Sequence, residues 1–400
     1  MSKVIGEGSY GCVHKPSLIC KTKKMNYENK ISKIMTKKHL NDEIREYKKI
    51  KKVDKHHDIH LGTPSTCVPD KKNAKYVDQC DNFNGNEMNK YMLMILSDGG
   101  QNLEEFARSC NKLRSTRSNK KMMQNFWVEC HRLLYGIYLM QQHGVMHHDL
   151  KPQNIVYNAK KNRINFIDFG LMIDKDIVLK DIRDSRYSLA IPFWYFPFEF
   201  MFLNKNTFLR AAALNDNNIS KNEIMEKLSQ NQDALKYMKM FYDNTINDTK
   251  FINKNNNDFY STVVSIKMNN YEDFVNKSLD TIDIYGTGMA MLYVLRRTSH
   301  LIDTKLYNEF HELFLQMITA SLDKRLTIDI LLSKYEDIIT KHKLLNKMHF
   351  ENHKLKPIKI NKLNNKIKNT TISLKEKKRL TVSPIYNKTR RNIKRSQIAL

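Results

Sequence analysis

HHDLKPQN at residues 147–154, followed by NFIDFG at 165–170, sets two acids and an amide, Asp149, Asn154 and Asp168, into short polar breaks within apolar sequence. Carboxylate and amide oxygens are the donors that a small hard cation takes, and a carboxylate can also accept a proton. Neither string decides a fold alone; their order and closeness do. Upstream, Phe126, Cys130, Leu133, Ile137 and Met140 keep a helical period from about Met122 to Gln142, and His143 with Gly144 supplies a stop. Downstream, Asp283 opens IYGTGMAMLYVL, apolar nearly all round, which predicts a helix buried in the centre of its domain.

Nearer the N-terminus the period changes. VIGEGSYGCVHKPSLIC at 4–20 predicts two strands joined by a flexible glycine turn, with Val4, Val13 and Leu18 pointing inward. Leu40, Ile44 and Tyr47 recur at i, i+4, i+7 and predict one amphipathic helix. YMLMIL at 91–96 reads as a buried strand, and DGGQN at 98–102 breaks it where a hinge between two lobes is expected.

Taken together, HHDLKPQN and DFG resemble the catalytic loop, H-R-D-x-K-x-x-N, and the magnesium loop of eukaryotic-type protein kinases. Glu199 in FPFE, Asp283, and Arg325 in LDKRLTIDILL resemble three structural residues of the same family, so the likeness runs over about residues 4–340. It implies an α+β, bilobal protein-kinase fold with a small β-rich N-lobe over 1–97. A larger, mainly helical C-lobe would cover 98–340, with an insertion at about 203–280 and a tail over 341–400. Lys151 resembles the serine/threonine branch rather than the tyrosine branch. The Asn- and Lys-rich style of the chain resembles kinases of large cytoplasmic DNA viruses.

The resemblance assigns roles. Phosphoryl transfer from ATP with Mg2+ asks the protein to position the γ-phosphate and neutralise its charge. Asp149 is expected to act as catalytic base, Lys151 to stabilise the transferring phosphoryl group, and Asn154 and Asp168 to ligate magnesium. GEGSYG at 6–11, with Ile5, Gly6, Glu7, Gly8, Ser9, Tyr10, Gly11 and Val13, is expected to cover the nucleotide, its glycines letting backbone N–H groups approach phosphate. A dinucleotide fold with the same spacing needs an apolar helix next, whereas CVHKPSL reads as strand. Among Lys15, Lys21, Lys23, Lys24, Lys30 and Lys33, Lys15 and Lys21 follow Gly11 too closely, whereas Lys33 in KISKIM has room for two strands and is flanked by Ile31, Ile34 and Met35, so Lys33 is assigned to the ATP phosphates. Its carboxylate partner is expected to be Glu46, with Glu43 second.

Three departures from the family pattern stand out. His148 replaces the arginine of H-R-D and cannot make that residue's bidentate grip on a loop phosphate. Activity independent of loop phosphorylation at Ser185 or Ser188 is therefore expected. IPFWYFP before Glu199 lacks the threonine usual in serine/threonine kinases, and the stretch between Glu199 and Asp283 is longer than usual. Within that stretch, Ser220 with Glu223 reads as a capping box before Ile224, Leu228, Leu235 and Met238, and the Asn-rich 244–258 reads as a loop.

The net charge is +26, and residues 341–400 hold 18 Lys or Arg against Glu351 and Glu376. Such a tail can bind nucleic acid or an acidic partner by charge, or act as a solvated, disordered extension, and apart from Phe350 and Tyr386 it carries no Phe, Tyr or Trp for base stacking. Ser383 before Pro384 is a candidate phosphate acceptor. The six cysteines form no CxxC pair and are expected to be reduced thiols in an intracellular protein, cytoplasmic before nuclear, or in a virion or viral factory if the chain is viral. Cys67 and Cys80 with His56, His57 and His60 match no regular zinc spacing. No apolar run is long enough to span a membrane. Two further readings are a pseudokinase scaffold that recruits partners through the tail, and a small-molecule kinase of similar fold. The first predicts loss of a catalytic residue, and every candidate is present.

Overall fold

The computed structural model describes residues 1–344 apart from 9, 23, 185, 187–194 and 216–248. The predicted capping box at Ser220, both loop serines and the basic tail beyond 344 lie outside the described residues.

Five antiparallel strands form the N-terminal sheet in the order β1-β2-β3-β5-β4. They are β1 (Lys3–Gly8), β2 (Gly11–Lys15), β3 (Lys30–Thr36), β4 (Ser65–Cys67) and β5 (Tyr91–Ser97). The central position of β3 follows from its composition: Ile34 and Met35 are fully buried on opposite faces, and its register runs unbroken against β5 from Lys30↔Ser97 to Thr36↔Tyr91. Leu18 is buried, whereas Val4 and Val13 are half-buried.

Helix α1 (Lys37–Val53) starts where the Thr36 hydroxyl accepts from the His39 N–H, satisfying one of the orphan donors of its first turn. Its stripe of Leu40, Tyr47, Ile50 and Val53 packs toward the main core. Asp54 ends it, with its carboxylate accepting from the N–H groups of Asp58 and Ile59, both at 2.8 Å, and from His60 at 2.6 Å. Backbone and imidazole donors outweigh the desolvation of Asp54 and hold its pKa below the usual carboxylate range.

Beyond a short helix α2 (Ala74–Val77), the chain becomes mainly helical. Strand β6 (Gln101–Asn102) is followed by α3 (Leu103–Asn111), α4 (Arg117–Glu129) and α5 (His131–Gln142), the last two separated only at Cys130. Strands β7 (Val145–Met146), β8 (Ile155–Asn158), β9 (Arg163–Phe166) and β10 (Ile173–Asp174) make two small sheets, β6-β8-β9 and β7-β10, that carry the polar strings. Then come α6 (Lys175–Arg183), α7 (Lys205–Asn215), α8 (Thr249–Val264), α9 (Tyr271–Arg297), α10 (Thr304–Met317) and α11 (Ile328–Lys341).

Helix α9 is the central pillar predicted from its apolar sequence, but it starts at Tyr271, so Asp283 sits inside it rather than at its head. Gly286 lets this pillar touch the HHDL loop, because a Cβ there would overlap the Leu150 carbonyl. The expected loop at 244–258 is corrected where it is described: α8 begins at Thr249. Phe251, Asn255, Phe259 and Val263 recur every four residues and are buried, and the Asn255 side chain accepts from the Ala320 N–H at 2.6 Å. Burial of that stripe overrides the polar composition.

The cysteines also differ from expectation. Cys12 is bonded to Cys80 and Cys20 to Cys67, while Cys110 and Cys130 are buried free thiols. The two bonds join residues 68 and 47 positions apart, which the sheet and the α2 region bring together, so local spacing carried no signal for them. Cys67 and Cys80 thus belong to different disulfides, and His60 turns instead to Asp54 and His57.

Candidate active site

The HHDL loop is fixed from beneath. The backbone N–H groups of His147 and His148 donate to the two carboxylate oxygens of Asp283, at 2.8 and 2.9 Å. Burial raises the Asp283 pKa, opposed by His147. The His147 ring reaches the Ile167 carbonyl at 3.1 Å and so ties this loop to the segment carrying Asp168. His148 adopts φ +65°, and its ring is 5.3 Å from that of Phe196 and 6.4 Å from that of Phe200. It is therefore packed among aromatics, away from solvent.

Asp149, buried at 6% exposure, accepts from three side chains. Lys151 Nζ lies 3.2 Å from both oxygens and Asn154 Nδ2 lies 2.7 Å from Oδ2, while the Tyr195 hydroxyl donates to Oδ1. A carboxylate offers about four lone-pair positions, and donors of this chain occupy all of them. Burial lifts the Asp149 pKa above the ordinary carboxylate range, with Lys151 opposing. Burial and the neighbouring carboxylate push the Tyr195 phenol well up, so it remains a proton donor. The Lys151 ammonium also sits 5.2 Å from the centre of the Tyr195 ring. Tyr195 was missed in the sequence; its signal was the missing threonine in IPFWYFP.

Across from this cluster, Lys33 stands on β3 opposite Val13 of β2 and Met94 of β5. Gly11 permits the approach of β2, since a Cβ there would come 2.8 Å from Lys33 Cε. Lys33 Nζ meets Glu43 Oε2 at 2.7 Å, whereas Glu46 pairs with Lys49 at 2.8 Å. The expected Lys33–Glu46 pair is thus corrected to Lys33–Glu43. The reason is angular: Glu43 continues the inward stripe of Leu40, Tyr47 and Ile50, and Glu46 lies beside it. Desolvation opposes the Lys33 charge, but Glu43 and Asp168 outweigh it and raise its pKa. The other lysines are accounted for where partners are seen, Lys15 on Asp98 at 2.7 Å and Lys30 on Ser97 at 3.0 Å.

Asp168 is exposed, at φ +59°, and near enough for its charge to bear on Lys33, Glu43 and Asp149. Its neighbour Phe169 is buried among Tyr47, His60 and His147, linking α1 to the HHDL loop. In the glycine hairpin, Ile5, Gly6, Glu7 and Gly8 are exposed, and the half-buried Tyr10 packs its ring 4.7 Å from that of His39. Ser9 lies outside the described residues. Farther out, Arg325 donates to both Glu199 oxygens, and both side chains are fully buried.

Residues 1–178 match the family model of the protein kinase domain. The fold is that of the protein kinase superfamily. A "Probable serine/threonine-protein kinase" of fowlpox virus (strain NVSL) is 25% identical over 183 residues, 43% of this chain and 53% of the relative. CDPK-related kinase 3 of Arabidopsis thaliana is 31% identical over 120 residues, 29% of this chain and 18% of the relative. Mitogen-activated protein kinase kinase kinase 8 of Rattus norvegicus is 33% identical over 103 residues, 25% of this chain and 20% of the relative. The chain spans about half the length of the fowlpox kinase and a fifth or less of the other two. In kinase terms, the β-rich part supplies Lys33 and the glycine hairpin, and the helical part supplies Asp149, Lys151 and Asn154. Among the described residues, no helix is long and apolar enough to cross a membrane.

Proposed function

We propose that this chain transfers the γ-phosphoryl group of ATP to serine or threonine hydroxyls of protein substrates. The observation that carries this reading is the convergence of Asp149, Lys151 and Asn154 on a loop held by Asp283, with the Lys33–Glu43 pair and Asp168 close by.

Each side chain then has a task. Asp149 accepts or orients the proton of the incoming hydroxyl, and Lys151 stabilises charge on the phosphoryl group in transit. Lys33, oriented by Glu43, contacts the α- and β-phosphates. The amide nitrogen of Asn154 is committed to Asp149, which leaves its oxygen to ligate a cation alongside the exposed Asp168 carboxylate. This all-oxygen donor set fits magnesium, which when bound neutralises charge on the nucleotide phosphates. The glycine hairpin brings backbone N–H groups over the phosphates. Preference for serine and threonine rests on Lys151 and on the printed names of the relatives.

The test is γ-labelled ATP with mixed protein substrates, comparing the native chain with Asp149→Asn and Lys33→Ala. Labelling by the native chain alone is the expected result, and equal labelling by all three refutes the proposal. Phosphoamino-acid analysis of the product decides the hydroxyl class.

A further inference from the structure

His14 is fully buried on β2, yet its ring finds neither oxygen nor nitrogen as a partner. Its Nδ1 has no hydrogen bond, and its Nε2 faces two sulfurs, Cys80 Sγ at 3.2 Å and Cys12 Sγ at 3.6 Å. Cys12 and His14, two apart on one strand, point to the same face, and the three potential ligand atoms lie within 4.8 Å of one another. Among the described residues this is the one His, Cys, Asp and Glu cluster with that closeness. Nε2 is the ring atom aimed at both sulfurs, so its lone pair is the one a cation held by those sulfurs would take, with the ring proton on Nδ1.

Glu7 stands at the edge of the same cluster. It pairs with Cys12 across the β1–β2 hairpin, so the two side chains share a face. Its Oε1 accepts from the Asn82 N–H at 3.2 Å, two residues beyond Cys80. Two sulfurs, one imidazole and a carboxylate or water complete the tetrahedral donor set that zinc favours.

We infer that, with the Cys12–Cys80 bond reduced, Cys12, His14 and Cys80 bind one zinc ion, with Glu7 or water as fourth ligand. A dithiol reductant supplies two electrons and two protons, opening the disulfide to two thiols as it becomes a disulfide itself. Zinc then displaces the two thiol protons. The sulfurs separate to roughly 3.8 Å, the span of two ligands about 2.3 Å from a tetrahedral centre, through side-chain rotation. In either state the glycine hairpin stays fastened to the chain around residue 80, by a covalent bond or by a metal.

The experiment uses the full chain, reduced with a dithiol, freed of reductant without oxygen, and titrated with Zn2+ or with Cd2+ as a spectroscopic probe. One equivalent should bind, with about two protons released per ion and a sulfur-to-cadmium charge-transfer band in the ultraviolet. His14→Ala and Cys80→Ser should each weaken binding at least about a hundredfold, while Cys20→Ser should leave the stoichiometry at one. Circular dichroism establishes that each variant is folded, and the Cys20→Ser chain keeps the test intact if another variant unfolds. The inference is overturned if the reduced native chain shows free Cys12 and Cys80 thiols but no cadmium band, or if His14→Ala binds cadmium within about tenfold of the native affinity. It is equally overturned if Cys20→Ser abolishes the band.

Discussion

Replacing Arg325 by Met, or Glu199 by Met, tests how the segment beside the candidate base is held. Both side chains have 0% exposure, and the guanidinium also donates to the Thr319 carbonyl at 3.0 and 2.9 Å and to the Thr281 hydroxyl at 3.1 Å. Removing one partner of such a pair leaves a buried charge without compensation and costs about 3–5 kcal/mol. An unfolding entropy of about 2.1 cal/mol/K per residue makes each kcal/mol worth about 1.2 °C in a chain of this length, so each single variant should melt roughly 4–6 °C lower. The double variant, Glu199→Met with Arg325→Met, removes both charges and should recover much of this loss. It should retain a deficit of about 1–3 kcal/mol from the stranded Thr319 carbonyl. Arg183→Met is the control, because its pair with Glu272 is more than half exposed and should contribute less than about 1 kcal/mol. Urea and thermal midpoints of the five proteins measure the cycle. Single losses no larger than that of Arg183→Met, or additivity in the double variant, would refute the reasoning.

Three further outcomes are expected. Glu43→Gln should reduce kcat/KM about 10- to 150-fold, the worth of a charge-assisted hydrogen bond of about 1.5–3 kcal/mol. Glu46→Gln should change it less than about fivefold, since Lys49 is a half-exposed partner; the reverse order would reassign the carboxylate. Tyr195→Phe should raise kcat/KM up to about tenfold, because a substrate hydroxyl no longer has to displace the phenol from Asp149, and a tenfold fall would show that the phenol instead positions the base. The pH profile should have an acid limb above the ordinary carboxylate range. Burial raises the Asp149 pKa, so protonation removes the acceptor as pH falls while the rate recovers as pH rises. Pre-steady-state phosphoryl transfer measured against pH checks this, and a limb at the usual carboxylate pKa would contradict it.

The readable parts of the sequence were those whose function needs neighbouring residues on one backbone turn. Asp149, Lys151 and Asn154 meet because a short loop carries all three, and the apolar stretch after Asp283 could only be a buried helix. Contacts between distant segments were hidden. Nothing in a chain of scattered cysteines identifies Cys12 as the partner of Cys80, and Asn-rich sequence conceals the buried face of α8 until Ala320 arrives to satisfy Asn255. The Glu43 partner lay between these cases. Its place on the stripe of Leu40, Tyr47 and Ile50 was visible at helical period, but likeness to a family helix favoured Glu46.

The two local departures from the family pattern meet in one place. His148, standing where the family has arginine, turns its ring to Phe196 and Phe200, and Tyr195 next to Phe196 carries the hydroxyl that reaches Asp149. A guanidinium at position 148 would bring a charge into this aromatic packing, at a cost unless it found a partner. A threonine at 195 would be too short to lie beneath Lys151 as the tyrosine ring does. The histidine and the tyrosine therefore support each other through Phe196. His148→Arg should weaken the hold of the segment on Asp149 and shift activity in the same direction as Tyr195→Phe. A double variant no different from either single variant would show that the two act through one contact, whereas independent effects would separate them.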